Sequence, residues 1–218
     1  MKNKLNYELM KPAEIDYLEN TLLDEKGYLR ILPSAFYESI NYHHLRLFCH
    51  KHSIYSLPTS ELAKWLSDHF DLSDAIEIGA GNGSLAKFLG IPATDAKLSL
   101  RPEIMLLYSV MGQPLVKFGQ NVIEMDAIES VKKYKPKTVI AQWVMHVFNP
   151  KEPIREGNVY GVEEQFILDN VTNYVFIGNE FIHKMKPILR IPHHRFQPKW
   201  VWSRAKYPAK NIIYHWGL

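Results

Sequence analysis

Three glycines within five residues, set between an apolar run and a helical one, leave this chain few architectures. The stretch Ala-Ile-Glu-Ile-Gly-Ala-Gly-Asn-Gly-Ser-Leu starts at Ala75 and puts Gly79, Gly81 and Gly83 between a strand and a short helix over Leu85, Phe88 and Leu89. Glycines at such a turn let the backbone bend tightly and come close to a ligand. The helix start behind them offers unpaired N–H groups to a carboxylate or phosphate. Gly90, with Pro92 just beyond, ends the helix.

The pattern on either side of this turn differs. Residues 1–57 read mostly as helix and loop, including the aromatic and His-rich run FYESINYHHLRLFCHKH. Thr59 and Glu61 then open a helix, Thr59 as its cap and Glu61 as an anion in its first turn. Leu62, Trp65, Leu66 and Phe70 form its buried stripe. From residue 75 onward short apolar runs alternate with helical stretches. Strands are predicted over 75–78, 93–95, 122–125, 138–145 and 174–178, helices over 102–111, 128–133 and 162–170, and a closing antiparallel pair over 200–203 and 212–216. This alternation argues a doubly wound α/β sheet, mostly parallel, with the 75–78 strand at its centre. The reading divides the chain into a helical N-terminal extension, 1–58, and an α/β domain, 59–218.

Composition removes several classes. With 46% of residues hydrophobic and 22% charged, a sizeable core can be buried and wholesale disorder is excluded. The single cysteine, Cys49, rules out a disulfide scaffold or a Cys-rich zinc fold and suits a reducing cytoplasm. The first residues lack the apolar core of a signal peptide, and no run approaches the length of a membrane span. His43, His44, Cys49, His50 and His52 do not share one helix face, so a metal shell is not expected and no metal ligand is assigned.

Glu77 sharpens the glycine pattern. A dinucleotide-binding strand usually carries an apolar residue at that place; a carboxylate there can hold an ammonium group or brace the glycine loop. With an acid followed by G-x-G-x-G after a strand, residues 60–218 resemble the class I S-adenosylmethionine-dependent methyltransferases. The resemblance implies a Rossmann-like seven-stranded sheet ending in an antiparallel hairpin, and S-adenosylmethionine as cofactor. It implies cofactor contacts at Glu77, Gly79, Gly81 and Gly83, and at Asp95, which would hold both ribose hydroxyls. Asp126, with Ala127 beside it, would meet the adenine, although Asp126 serves equally well as a plain helix cap. Gln142 ends the fourth strand and is counted with the cofactor residues; Trp143 and His146 follow on the substrate side. His146 and Glu180 are the candidate general bases, and the absence of either role is an equal reading. No D/N-P-P-Y/F sequence follows the fourth strand, which argues against the nucleic-acid amino methyltransferases that use it.

The expected function is transfer of a methyl group from S-adenosylmethionine to an unidentified acceptor, a small molecule or RNA. The alternatives are an NAD(P)-binding oxidoreductase and a non-catalytic binding protein of the same fold. RNA enters through charge: residues 181–218 hold eight Lys and Arg and none of the chain's 23 acidic residues. Such a strip is either a site for anionic partners or a solvated face. The 146–161 loop and parts of 30–57 are expected to lie over the cleft.

Overall fold

A computed structural model describes residues 15–217; the first fourteen residues of the extension and Leu218 lie outside the described residues. The chain runs through α1 (Asp16–Leu22), α2 (Ser34–Glu38), α3 (Tyr42–Lys51), β1 (Ser56–Leu57), α4 (Ser60–His69), β2 (Ala75–Ile78), α5 (Ser84–Leu89), β3 (Ala93–Asp95), α6 (Pro102–Val110) and β4 (Val122–Glu124). It continues through α7 (Ala127–Tyr134), β5 (Thr138–Gln142), α8 (Glu164–Asn170), β6 (Asn173–Asn179), α9 (Glu180–His183), β7 (His194–Phe196), β8 (Trp202–Ser203) and β9 (Asn211–Gly217).

The seven-stranded sheet has the order β4-β3-β2-β5-β6-β9-β7. Strands β4 through β6 run parallel, and β9 lies antiparallel between β6 and β7. This is the doubly wound, mostly parallel, seven-stranded α/β fold that the resemblance implies. Side chains alternate cleanly across it. Ala75, Ile140, Val175, Ile177 and Ile213 pack on the face covered by α4 and α5. Ile76, Val139, Ala141, Phe176 and Tyr214 pack on the face covered by α7 and α8. A strand buried on both faces must be apolar at both parities, which is why these strands read as continuous apolar runs.

Local chemistry sets the edges of the elements. The Thr59 hydroxyl accepts from the Leu62 N–H and starts α4, as expected. Glu61 does more than complement the helix dipole, because it accepts from the backbone and hydroxyl of Ser34 and so ties α2 to α4. The run 138–145 stops being a strand at Gln142, because Trp143 turns to φ +61. The predicted pairing of 200–203 with 212–216 is corrected. β9 pairs with β6 and β7, whereas β8 leaves the sheet and pairs antiparallel with β1. β2 is an interior strand, third of seven, and β5 takes the centre. The extension has its own core, with Leu18, Leu22, Tyr37, Leu45, Phe48 and Leu57 buried together and Trp202 of β8 packed against them. Among the described residues no helix is long and apolar enough to cross a membrane.

A buried ion pair sits on the α8 side of the sheet. Lys186 is wholly buried, with Nζ 2.7 Å from Glu164 Oε1 and 4.2 Å from the centre of the Phe176 ring. The Tyr174 hydroxyl donates to the same carboxylate oxygen, at 2.7 Å. Removing one partner of such a pair leaves an uncompensated charge, so Lys186→Met should cost about 3–5 kcal/mol. The Lys186→Met/Glu164→Gln double variant, which keeps an acceptor for Tyr174, should lie closer to wild type than the single lysine variant. Urea denaturation of the three proteins checks this; a double variant as unstable as the single would contradict it.

Candidate functional site

The carboxyl ends of β2, β3, β4 and β5 open onto a cleft of about 1010 Å³. In an open α/β sheet this edge is where loops diverge and leave room for a ligand. Gly79, Gly81 and Gly83 line it, as do Asp95, Asp126, Ala127 and Gln142. The structure thus gathers seven of the ten residues singled out from the sequence around one cavity. The other three, Glu77, His146 and Glu180, lie outside its lining.

The glycine loop adopts left-handed backbone at all three glycines. Two of them show why. A Cβ on Gly79 would stand 2.5 Å from Cγ1 of Val144, so no side chain fits there. A Cβ on Gly81 would meet nothing closer than Val116, at 4.0 Å, and would project into the cleft. The loop is held from outside by Asp95. Its Oδ2 accepts from Gly81 N–H at 3.0 Å and its Oδ1 from Lys97 N–H at 2.8 Å. Each oxygen then keeps one acceptor position. Burial raises the Asp95 carboxyl above its ordinary range even though both backbone donors act to lower it. Asp126 is the N-cap of α7, accepting from Glu129 N–H, and lines the cleft from that position.

Glu77 does not touch the cleft. It is 1% exposed and points from β2 toward α5, where Oε2 accepts from Ala86 N–H at 3.0 Å. Its Oε1 accepts from Gln142 Nε2 at 2.8 Å, and Gln142 Oε1 accepts from the Ser56 hydroxyl at 2.8 Å. The carboxylate therefore braces the helix after the glycine loop and positions Gln142. Desolvation pushes its pKa up to about 7 against the opposing pull of these two donors.

The two candidate bases are placed elsewhere. His146 is 4% exposed, bonded through Nε2 to the Arg155 carbonyl, with Nδ1 buried and unpartnered. Burial, and Lys186 nearby, lower its pKa. His183, in the same interior region, is pushed down to about 3 by desolvation and by Lys186. Glu180 is engaged at the surface by Arg195 at 2.9 Å and Lys210 at 3.2 Å. Both residues follow strand ends, but the chain turns their side chains away from the cavity.

The remaining walls come from distant parts of the chain. The extension contributes Ser53, Tyr55 and Ser56; the 146–161 loop contributes Val147, Asn158 and Tyr160. That loop is tied down by backbone bonds, Phe148 N–H to Asn158 O and Asn158 N–H to His146 O among them. Arg101, Tyr108, Arg204 and Lys206 also face the cleft. Arg101 and Tyr108 carry no local sequence signal, because they reach the site only through the tertiary fold, whereas Arg204 and Lys206 belong to the basic 181–218 strip. Trp143 lines the cleft with φ +61, a conformation that costs a bulky residue roughly 1–3 kcal/mol and is often found at working sites.

No protein-family profile matches the sequence, and no curated protein matches it. Among solved structures, the chain is similar to an rRNA methylase from Streptococcus thermophilus, with 13% identity over 70% of this chain and 92% of that one and a TM-score of 0.38. It is similar to a Spodoptera frugiperda DNMT2 variant, with 13% identity over 65% of this chain and 48% of that one and a TM-score of 0.35. It is also similar to Thermoplasma acidophilum 1320, with 15% identity over 80% and 95% and a TM-score of 0.36.

The Glu77 bonding pattern makes a specific prediction. A neutral Glu and a Gln offer the same donor and acceptor, so the Gln142 amide can turn over to meet either. Glu77→Leu leaves two buried donors unpaired and should destabilise by about 2–4 kcal/mol, with Glu77→Gln costing much less. The raised pKa means that the folded state keeps a proton the unfolded state has lost. Glu77 therefore withdraws stability as pH rises from 4.5 to about 7. The difference in unfolding free energy, wild type minus Glu77→Gln, should fall across that window in pH-resolved denaturation, and a flat difference would contradict it.

Proposed function

We propose that the protein binds S-adenosylmethionine in this cleft and transfers its methyl group to an acceptor. The observation that carries the reading is the pairing of the open position at Gly81 with the two remaining acceptor positions on Asp95. A glycine whose Cβ would fill the cleft leaves room for a ligand against the backbone. A carboxylate locked by one backbone donor on each oxygen is preset to receive two neighbouring hydroxyls, as a ribose has. Asp126, Ala127 and Ile128 line the next stretch of wall and suit a flat base with an amino group. Gln142, counted with the cofactor residues, ends β5, and Trp143 follows it on the side of the acceptor.

When bound, the cofactor supplies a methyl carbon on a sulfonium, and the electrons of the broken carbon–sulfur bond stay on sulfur. The protein's own contribution is then to orient the acceptor and exclude water. A side-chain base is not required where the acceptor atom already carries an available lone pair. That fits a cleft from which His146 and Glu180 are both turned away.

Calorimetry with S-adenosylhomocysteine and with NAD tests the reading. S-adenosylhomocysteine should bind, and Asp95→Ala should weaken it by roughly 2–4 kcal/mol, two charge-assisted bonds less partial replacement by water. Gly81→Val should abolish binding through steric filling, since its branched side chain would enter the ligand's space from a left-handed backbone position. Binding of NAD without S-adenosylhomocysteine would refute the proposal.

A further inference from the structure

The half of the cleft beyond Gln142 is cationic and aromatic. The Ser56–Gln142 hydrogen bond, 2.8 Å, sets the extension against the carboxyl end of β5. Next to it, Arg204 lies over the Tyr55 ring, its guanidinium carbon 3.5 Å from the ring centre, and its backbone N–H donates to the Tyr55 carbonyl. Arg204 is half-buried, yet among the described residues no carboxylate stands within ion-pair distance of it. A partly desolvated cation without a counter-ion is costly, and costs less once an anion arrives. Its field is felt locally: burial lowers the pKa of His50 and Arg204 adds to that, while burial raises the Tyr108 hydroxyl and Arg204 opposes the rise. Among the described residues that line the cleft, Arg101, Lys117, Arg204 and Lys206 stand with the acids Asp95, Asp126 and Glu163.

The rest of the basic C-terminal strip is different. Lys186 is paired with Glu164, Arg190 with Glu152, and Arg195 and Lys210 with Glu180. Half of its eight cations are thus neutralised by acids of the body. What remains near the cleft is Arg204, half-buried against the Tyr55 ring, with Lys206 exposed at the rim beside it. A recessed charge inside a cavity suits a small anion better than a polymer backbone, which needs a string of exposed cations.

We propose that the methyl acceptor is a small organic anion whose carboxylate or phosphate is bound by Arg204 and Lys206, with its body against Tyr55, Tyr108 and Trp143; this rests on the methyltransferase reading above. An acceptor atom with a lone pair takes the methyl carbon as the carbon–sulfur bond breaks, and any proton it sheds passes to solvent. The charge anchors one end of the molecule and the rings fix its plane, so the reacting atom is held by orientation.

The test uses the full chain saturated with S-adenosylhomocysteine and titrated with benzoate, phenyl phosphate, neutral benzamide and a short single-stranded RNA. Benzoate or phenyl phosphate should bind and benzamide should not. Arg204→Met should weaken the anion by about tenfold or more, with Arg204→Lys intermediate. S-adenosylhomocysteine affinity in Arg204→Met should stay at the wild-type level, which also reports an intact fold; if it is lost, Lys206→Gln, an exposed substitution, carries the comparison. Anion affinity that is the same in wild type and variants overturns the proposal, as does failure of both acids to bind. RNA binding tighter than either acid and indifferent to Arg204 overturns it in favour of a nucleic-acid acceptor. If S-adenosylhomocysteine itself does not bind wild type, the cofactor reading fails, and the acid titrations on the unloaded protein still decide whether Arg204 is an anion site.

Discussion

One buried carboxylate connects the parts of this molecule that have to agree. Glu77 takes the Ala86 N–H of α5 on one oxygen and the Gln142 amide of β5 on the other, and Gln142 in turn takes the Ser56 hydroxyl of the extension. Two adjacent segments, β2 and α5, therefore meet two distant ones, β5 and the extension, through three hydrogen bonds. The glycine loop spans the gap between β2 and α5, so its shape depends on how that helix is held to the strand. An apolar residue at position 77 would pack, but it would leave the Ala86 N–H and the Gln142 amide without acceptors in the interior.

Asp95 plays the matching part from the next strand. Its backbone bonds to Gly81 and Lys97 hold the loop in the open shape that leaves the cleft free. The two acids thus divide the work. Glu77 braces the loop from the core, and Asp95 braces it from the cleft wall while keeping acceptors to spare.

Much of this was legible in the sequence, for physical reasons that can be named. Period-2 burial on two faces makes β2, β5, β6 and β9 continuous apolar runs, and the capping chemistry of Thr59 and Gly90 marks helix ends. What escaped was whatever carries no local pattern. β7 is an edge strand, exposed along His194–Phe196, and shows no apolar alternation. β8 is two residues long and finds its partner in β1 rather than in its sequence neighbour. His146 follows β5 as a cleft residue would, but the left-handed turn at Trp143 intervenes, and the side chain enters the interior beside Arg155. Glu180 likewise follows β6, yet it serves as the counter-ion of Arg195 and Lys210. Position after a strand says where a residue starts, and the surrounding charges decide where it points.

The β1–β8 ribbon has a consequence for how the molecule is built. It joins Ser56 and Leu57 to Ser203 and Trp202, so the chain between them includes all of the main sheet except β9. Closing so long a loop is entropically unfavourable until the intervening strands have paired and brought its ends together. Tyr55 and Arg204 flank this ribbon on opposite strands, and they become neighbours only through it. The glycine loop, by contrast, is made by adjacent segments and can form early. During folding, the pocket's two sides should mature in sequence, with the glycine-loop side appearing first and the Arg204 side only at the final docking of the extension.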